Sequence, residues 1–421
     1  MIKLNGKVTD DMDFFQGNNP FHLAEKYGTP LYIYNEKIIR MRCNELKNLV
    51  PYENFKINYS AKSNSNLAIL QIIKDENLNV DAISPGELYI EKMAGFTPEN
   101  MLYVSNNMSK EEMQHVVNEG IVISVDSSSQ LDMLGSINNG GKVAVRFNTG
   151  IGKGHHAKVV TGGSKTKFGV NAEYVDDVKE ILKKHNLTLV GINHHIGSLF
   201  MESTDYINAA TNLVNLAKNF DDLEFINFGG GLGVPYKKQE NEARLNLKEL
   251  GENLNKVMEN FASEYGKRVT FLIEPGRFIS GESGLILGTV NTIKNNGSNK
   301  FVGTDIGFNV LARPVMYDSR HEMEVYRNIT GTTPDDNEIV TVVGNICESG
   351  DILARDINLP KILENDLIGV LDAGAYGHVM SSNYNSRPRP AEILIRENNE
   401  VVLVRKRETI EDLVKDFIAL K

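Results

Sequence analysis

The chain has 421 residues, of which 41% are hydrophobic and 24% are charged. This length fits two domains, or one large barrel with an appendage. The net charge of −10 argues against nucleic acid and against an anionic membrane surface as partners. The sequence has no apolar run long enough for a transmembrane helix, so we expect no membrane span.

The N-terminus and the cysteine count indicate the compartment. The segment MIKLNGKVTDDMDFFQGN is acidic and lacks an apolar core, so we expect no signal peptide. The two cysteines, Cys43 and Cys347, fit free thiols in a reducing compartment better than a disulfide framework. No spacing of cysteine and histidine indicates a structural zinc site. We therefore expect a cytoplasmic protein without a bound metal.

Between about residues 31 and 280, short β-branched runs alternate with amphipathic stretches whose apolar residues recur at i, i+3 and i+4. The strand-like runs are, in order, KINYSA, LNVDAIS, MLYVS, VISVD, VAVRFN, LVGINHHI, EFINFGG and TFLIEPG. A strand followed by a helix, repeated about eight times over roughly 250 residues, predicts a parallel (β/α)8 barrel. A doubly wound open sheet is the alternative, and the repeat number and span favour the closed barrel.

After about residue 281 the sequence changes to strand-like segments with few helices between them. These segments include GLILGTVNTIKN, KFVGTDIG, EIVTVVGNI, LIGVLDAGAY and AEILIRENNEVVLVRKRE, and the chain closes with a short helix, TIEDLVKDFIALK. We therefore predict a barrel over residues 31–280 and a mostly-β domain formed by residues 1–30 together with 281–421.

Polar residues follow four of the predicted barrel strands. Lys62 follows the first, His195 and Ser198 follow the sixth, residues 229–231 follow the seventh, and residues 274–277 follow the eighth. Barrel enzymes hold their active sites at the carboxyl ends of the strands, and phosphates often bind after the seventh and eighth. We expect these residues to form one site.

The run GGGLG after the seventh strand exposes backbone N–H groups without side chains in the way, which suits a phosphate. Arg277 and Ser198 could donate hydrogen bonds to the same anion. A tight strand-to-helix turn is the alternative interpretation of the glycines. The run is not a dinucleotide fingerprint, because Tyr236 stands where the last glycine would be needed.

A lysine near a phosphate site and a carboxylate indicates covalent binding of pyridoxal 5'-phosphate (PLP). Burial of Lys62 and the lack of a close counter-ion would favour its reactive neutral form. Glu274 would hydrogen-bond the pyridine nitrogen, and His195 could stack on the ring. The alternatives are a surface lysine for residue 62 and a satisfied core histidine for residue 195.

The second domain adds further candidates. Cys347 beside Glu348 offers a proton donor next to a negative charge, although a lone cysteine is more commonly a buried structural thiol. Tyr376 lies between small residues in AGAYG and could reach a ligand. Arg313 and Tyr317, in ARPVMYD, are suited to binding a carboxylate.

Motifs along nearly the whole chain carry a family resemblance. They are YSAKSNSNLAIL, VDAISPGELY, TKFGV, HHIGS, NFGGGLGVPY, IEPGR, ARPVMYD, VVGNICESGD and LDAGAYGHVMSSNYNSRPRPAEIL, the last two being highly specific. Together they resemble fold-type III PLP-dependent decarboxylases, and among these the diaminopimelate decarboxylase family. The loop over residues 149–169 is a variant of the family's loop after the fifth strand.

The resemblance implies roles for individual residues. Lys62 and Cys347 would be catalytic, with Cys347 as the proton donor. The implied cofactor site consists of Lys62, His195, Ser198, Gly229, Gly230, Gly231, Glu274, Gly276, Arg277 and Tyr376. The implied substrate-binding residues are Arg277, Arg313, Tyr317, Glu348 and Tyr376. Asp81 and Glu87 match residues near the lysine whose role is not assigned.

The resemblance also implies a reaction, the decarboxylation of meso-2,6-diaminopimelate to L-lysine and CO2. Glu348 would pair with the distal ammonium, and the arginines with Tyr317 would take the distal carboxylate, which fits a zwitterionic tail. The alternatives are a decarboxylase for ornithine, lysine, arginine or carboxynorspermidine, an amino-acid racemase, and a catalytically silent PLP-binding homologue. A racemase would need a tyrosine where Cys347 stands.

A head-to-tail homodimer with shared active sites is the last implication of the resemblance. The loop that carries Cys347 and Glu348 would reach the barrel of the other subunit. The β-rich domain would thus contribute both to the active site and to the dimer interface.

Overall fold

A computed structural model of the chain describes residues 1–154, 156, 160–163, 166–329 and 336–420. Part of the variant loop 149–169 therefore lies outside the described residues. The strands are β1 Ile2–Lys3, β2 Leu31–Asn35, β3 Phe55–Ser60, β4 Asn79–Ala82, β5 Met101–Val104, β6 Val122–Val125, β7 Lys142–Asn148, β8 Val170–Asn171, β9 Thr188–Asn193, β10 Phe225–Asn227, β11 Thr270–Ile273, β12 Gly284–Asn296, β13 Asn299–Thr304, β14 Met323–Arg327, β15 Asn337–Val343, β16 Ile352–Pro360, β17 Leu367–Val370, β18 Ala391–Ile395 and β19 Val401–Arg405.

The helices alternate with the strands in the first two thirds of the chain and become rare after β12. They are α1 Val8–Asp11, α2 Pro20–Tyr27, α3 Glu36–Lys47, α4 Leu67–Asp75, α5 Pro85–Ala94, α6 Lys110–Asn118, α7 Ser128–Ile137, α8 Val175–Lys184, α9 Thr204–Ala217, α10 Leu247–Tyr265, α11 Arg277–Ser280, α12 Arg313–Tyr317 and α13 Ile410–Val414. Among the described residues, none of these helices combines the length and the apolar character needed to cross a membrane.

One compact unit, residues 40–234 and 244–279, is a closed parallel barrel. Its eight strands pair in the order β3, β4, β5, β6, β7, β9, β10 and β11, and β11 pairs with β3 to close the ring. These are the eight runs that the sequence predicts as strands, so the predicted (β/α)8 barrel is confirmed. Short β8 pairs in parallel with the end of β7 outside the ring.

Local sequence explains the alternation of strand and helix in the barrel. The strands are short, β-branched and almost continuously buried, as expected when helices cover a parallel sheet. Polar residues cap several of the helices that follow the strands: Asn66 accepts a hydrogen bond at the start of α4, and Ser84 accepts one at the start of α5. The carboxyl ends of β3 and β4 therefore lead into short, fixed turns.

The other compact unit contains residues 1–39, 235–243 and 280–421 and is mostly β. Its long strand β12 pairs antiparallel with β2, β13 and β17, while β2 also pairs in parallel with β18. The core between these strands and α2 contains Phe14, Leu23, Ile33, Leu287 and Ile393.

The units divide the chain differently from the predicted domains at residues 31–39, 235–243 and 280. Residues 31–39 lie in the β-rich unit because β2 hydrogen-bonds to β12 and β18. Residues 235–243, which follow the glycine run of the barrel, lie in the β-rich unit as well.

Candidate active site

Lys62 lies in a single 3-10 turn, residues 61–63, directly after β3. The turn is fixed by its neighbours, because the Ser63 hydroxyl donates to the Ser60 carbonyl at 2.9 Å and to the Tyr59 hydroxyl at 3.1 Å. The Tyr59 hydroxyl donates in turn to the Asn64 carbonyl at 3.0 Å. The half-buried lysine is thus held at the carboxyl end of the first barrel strand.

Lys62 has carboxylates near enough for its charge to act on them, contrary to the expectation that it lacks a close counter-ion. Asp81 is buried at the end of β4, where its Oδ2 accepts a hydrogen bond from the Ser60 hydroxyl at 3.0 Å. Burial and the charge of Glu274 raise the pKa of Asp81, whereas the positive charge of Lys62 lowers it. The charge of Lys62 likewise lowers the pKa of Glu87, which burial raises. Strand β4 supplies Asp81 and helix α5 supplies Glu87, which sequence spacing alone could not place.

His195 follows β9 and presents a neutral ring. The backbone N–H of Gly230 donates to its Nδ1 at 3.1 Å, so the ring carries its proton on Nε2. Removal from solvent, followed by the positive charges of Lys62 and Arg146, holds the pKa of His195 well below its usual value. An uncharged imidazole of fixed orientation is suited to stacking on a flat ligand.

The glycine run after β10 packs so closely that it tolerates no side chain. A Cβ on Gly230 would lie 1.9 Å from the carbonyl oxygen of Glu274. Gly229 and Gly231 have positive φ angles of 66° and 110°, which favour glycine. A Cβ on Gly231 would also lie 2.4 Å from the Gly197 carbonyl oxygen. The bare backbone forms a cradle of the kind that approaches a phosphate.

Glu274 is buried at the end of β11, and Asn227 fixes its carboxylate. The Asn227 side chain donates to Oε1 of Glu274 at 2.6 Å, and its Oδ1 accepts the N–H of Gly229 at 2.8 Å. Asn227 thereby connects the acid to the glycine cradle. Sequence analysis missed Asn227, because a single polar residue at the end of a buried run gives no distinct signal.

Ser198 and Arg277 meet beside the cradle. The guanidinium of Arg277 donates to the Ser198 hydroxyl from Nη2 at 3.0 Å and from Nε at 3.4 Å. Leu199, the next residue, has a φ of 68°, an uncommon backbone conformation that concentrates at functional sites. Gly276 packs against Ser63, since a Cβ there would lie 2.8 Å from the Ser63 hydroxyl. The turn after β11 therefore touches the turn that carries the lysine.

Arg146 on β7 is a second residue that sequence analysis missed. Its guanidinium lies 4.6 Å from the ring centre of Phe168, and its Nη2 is buried without a hydrogen-bond partner among the described residues. Its positive charge acts on His194, His195 and Glu274. A buried N–H donor beside the cradle can be satisfied by an anionic ligand or by water.

Cys347 lies in the β-rich unit on an exposed, well-fixed loop. Its N–H donates to Oδ1 of Asn385 at 2.7 Å, and the buried carboxylate of Asp351 accepts the N–H of Ile346 at 2.7 Å. Glu348 accepts a hydrogen bond from the Tyr384 hydroxyl at 2.5 Å. The thiol and the carboxylate are thus presented side by side to the outside of this unit.

Arg313 is almost fully buried in the same unit. It donates to the Tyr236 hydroxyl at 3.0 Å and to Nε2 of His321 at 2.9 Å. Tyr376 has a φ of 55°, a conformation that side-chain-bearing residues adopt rarely. Tyr317 ends α12, which Arg313 begins.

The structure thus places the predicted residues in two groups. The barrel gathers Lys62, His195, Ser198, residues 229–231, Glu274, Gly276 and Arg277. The β-rich unit holds Arg313, Tyr317, Cys347, Glu348 and Tyr376.

Comparisons with known proteins show the family to which the chain belongs. Residues 36–281 match the family described as pyridoxal-dependent decarboxylase, pyridoxal binding domain. The chain is 41% identical to the diaminopimelate decarboxylase of Methanothermobacter thermautotrophicus, over 95% of this chain and 94% of that protein. It is 34% identical to the Bacillus subtilis diaminopimelate decarboxylase, over 95% and 93% of the two chains.

A solved structure of a diaminopimelate decarboxylase is similar to nearly the whole chain. The chain superposes on the crystal structure of Helicobacter pylori diaminopimelate decarboxylase complexed with L-lysine with a TM-score of 0.85 and 30% identity, covering 94% of this chain and 98% of that one. The chain therefore belongs to the pyridoxal-dependent decarboxylases, and among them to the diaminopimelate decarboxylase family.

Proposed function

We propose that this protein converts meso-2,6-diaminopimelate into L-lysine and CO2 with PLP as cofactor. The observation that carries the proposal is the convergence of an amine, a neutral imidazole, a glycine cradle and a buried carboxylate at one end of the barrel. The diaminopimelate decarboxylases with which the chain shares nearly its whole length support the choice of substrate.

The residues at the barrel mouth fit PLP. The Lys62 amine would hold the aldehyde carbon, Glu274 would face the ring nitrogen, and the imidazole of His195 would cover one face of the ring. The cradle at residues 229–231, with Ser198 and Arg277, would receive the phosphate, and Gly276 and Tyr376 would border the cofactor. When bound, PLP supplies an electron sink for the electron pair that remains after CO2 leaves.

The protein's own part in the reaction is positioning and proton transfer. Asn227 holds Glu274 in place, so the carboxylate would need little rearrangement to face the ring nitrogen of the cofactor. The low pKa of His195 keeps its ring uncharged. The imidazole therefore adds no positive charge that would oppose protonation of the pyridine nitrogen. The thiol of Cys347 would donate its proton to the carbon that has lost CO2.

Charged side chains and two tyrosines would recognise the substrate. Glu348 would pair with the distal ammonium of the substrate. The distal carboxylate would bind Arg277, Arg313 and Tyr317, and Tyr376 would line the same region. A substrate that lacks the distal carboxylate would lose its charged contacts with the arginines, which gives selectivity.

We infer a homodimer with shared active sites. Cys347 is exposed on a loop whose backbone is pinned by Asn385 and Asp351, so it is presented outward in fixed geometry. A loop of this kind can complete the barrel site of a second copy. The family resemblance supports the same arrangement.

A product assay tests the proposed function. The purified protein is incubated with meso-2,6-diaminopimelate, with and without added PLP, and CO2 and L-lysine are measured. We expect the two products in equal amounts and faster turnover with PLP. Faster turnover of ornithine, lysine, arginine or carboxynorspermidine would assign a different substrate. Bound PLP with no CO2 from any of these would indicate a catalytically silent homologue.

A further inference from the structure

Lys238 is a partly buried cation, with 13% of its side chain exposed, between two buried carboxylates in the β-rich unit. Its Nζ lies 2.5 Å from Oδ1 of Asp372 and 3.2 Å from Oε1 of Glu282. The two acids are 3% and 2% exposed. Burial by itself would lower the pKa of Lys238, but the two carboxylates raise it, so the lysine stays charged. The ion pairs fix the segment 235–243 to the segment before Tyr376.

The first connection from Lys238 to Arg313, a proposed substrate-binding residue, runs through Tyr236. Tyr236 lies two residues before Lys238, and its backbone N–H donates to Oε2 of Glu242 at 2.7 Å. Its hydroxyl accepts a hydrogen bond from Nη1 of Arg313 at 3.0 Å. Its ring also lies 4.8 Å from the centre of that guanidinium. Tyr236 therefore holds the Arg313 guanidinium from one side, through a hydrogen bond and a ring contact.

The second connection runs through Asp372. The residue before it, Leu371, accepts at its carbonyl oxygen the Nδ1–H of His321 at 2.7 Å. That bond leaves Nε2 of His321 as an acceptor for Nη1 of Arg313, at 2.9 Å. The backbone at 371–372 therefore orients His321, which holds the same guanidinium through a second hydrogen bond.

We propose that Lys238 is a positioning residue for Arg313: by pairing with Asp372 it locks together the two segments that orient this guanidinium toward a substrate carboxylate. The inference rests on the proposed function, in which Arg313 binds the distal carboxylate. Lys238 acts through Tyr236, Leu371 and His321 and touches no substrate. Its effect should therefore appear in carboxylate recognition and not in cofactor binding.

Binding of two ligands to the PLP-loaded enzyme tests the proposal. L-lysine carries the carboxylate, and cadaverine is the same diamine without it. Asp372→Asn breaks the ion pair with an isosteric amide, and Lys238→Met removes the cation. We expect each variant to weaken L-lysine binding about tenfold, the loss of one well-placed charged contact, with cadaverine and PLP affinities within about twofold of wild type.

Glu282→Gln is the matched control, because Glu282 also pairs with Lys238 but lies outside the two connections to Arg313. It should leave L-lysine affinity within about twofold of wild type. If Lys238→Met does not fold, Asp372→Asn carries the test, with its fold checked by circular dichroism.

Arg313→Met separates the proposed role of Arg313 in carboxylate binding from the proposed positioning role of Lys238. If this variant binds L-lysine normally, the role of Arg313 in the proposed function fails. If it loses L-lysine affinity while Asp372→Asn does not, the positioning role of Lys238 is overturned. Equal losses for L-lysine and cadaverine in Asp372→Asn would also overturn it, because they would report a general structural defect.

Discussion

Single residues at the carboxyl ends of the barrel strands determine the shape of the cofactor site. Gly230 shows this most sharply: its N–H donates to His195, and the space where a Cβ would lie is filled by the carbonyl of Glu274. One backbone position thus contacts both His195, proposed to stack on the cofactor, and the acid. No other residue type can fill this position without moving one of the two.

Gly230→Ala should therefore weaken PLP binding by at least about tenfold, since the Glu274 backbone must shift to accept a Cβ at 1.9 Å. Fluorescence titration of the apoenzyme with PLP measures the loss. Gly86→Ala is the control, because its nearest contact would be a Ser84 hydroxyl at 3.8 Å. PLP affinity equal to wild type in a folded Gly230→Ala protein would contradict the cradle.

The sequence reveals residues that stand at strand ends and hides those within strands. Lys62, His195 and Glu274 could be predicted because each follows a β-branched run. Arg146 could not, because a polar residue inside such a run faces either the barrel or the solvent, and sequence does not say which. Asn227 ends its strand, but a single polar residue there gives no distinct signal. The acids near Lys62, Asp81 and Glu87, come from a neighbouring strand and its helix, so residue spacing alone did not place them and only the family resemblance did.

At the scale of one element, α5 carries Glu87, on which the charge of Lys62 acts, and the buried Glu91. Glu87 and Glu91 stand four residues apart on one face of this helix. Glu91 is completely buried, and neither carboxylate oxygen has a hydrogen-bond partner among the described residues. Burial, then the charges of Asp81 and Glu87, raises the pKa of Glu91 to about 9. A glutamate in an amphipathic helix would be assigned to the solvent face from sequence.

Glu91→Gln should raise the stability of the folded protein above about pH 5. The folded state keeps the Glu91 proton up to about pH 9, whereas the unfolded chain releases it near 4.5. The free energy of unfolding then falls by up to about 1.4 kcal/mol per pH unit between these values. Glutamine avoids that cost because it does not ionise.

Urea denaturation at pH 5, 7 and 8.5 measures this difference. The gain from Glu91→Gln should grow with pH, while Glu180→Gln on the exposed face of α8 should change stability by no more than about 0.5 kcal/mol. A gain for Glu91→Gln that does not depend on pH would show that residue 91 is ionised when folded.

At the scale of the whole molecule, the periodic part of the sequence was the most predictable. Eight strand-then-helix repeats predict a closed barrel because each repeat buries its strand between helices. The membership of β2 was less accessible, since LYIYN reads as a strand in either unit and only its pairing with β12 and β18 decides. Residues 235–243 carry no pattern that would assign them to the β-rich unit.

The proposed dimer predicts complementation between two inactive variants. Lys62→Ala lacks the amine proposed to hold the cofactor, and Cys347→Ala lacks the proposed proton donor. A mixed dimer of the two would contain one intact site, so random exchange at equal amounts should restore about a quarter of wild-type activity. Steady-state assays after subunit exchange measure the recovery. No recovery despite demonstrated exchange would count against shared sites.

The identity of the reactive amine is tested most directly by borohydride reduction of the PLP-loaded enzyme, followed by peptide mass spectrometry. Reduction fixes the cofactor permanently to the amine that holds it. We predict the phosphopyridoxyl group on Lys62, and no label in the Lys62→Ala protein. Labelling of a different lysine in the wild-type enzyme, or no labelled peptide although PLP is bound, would contradict the account.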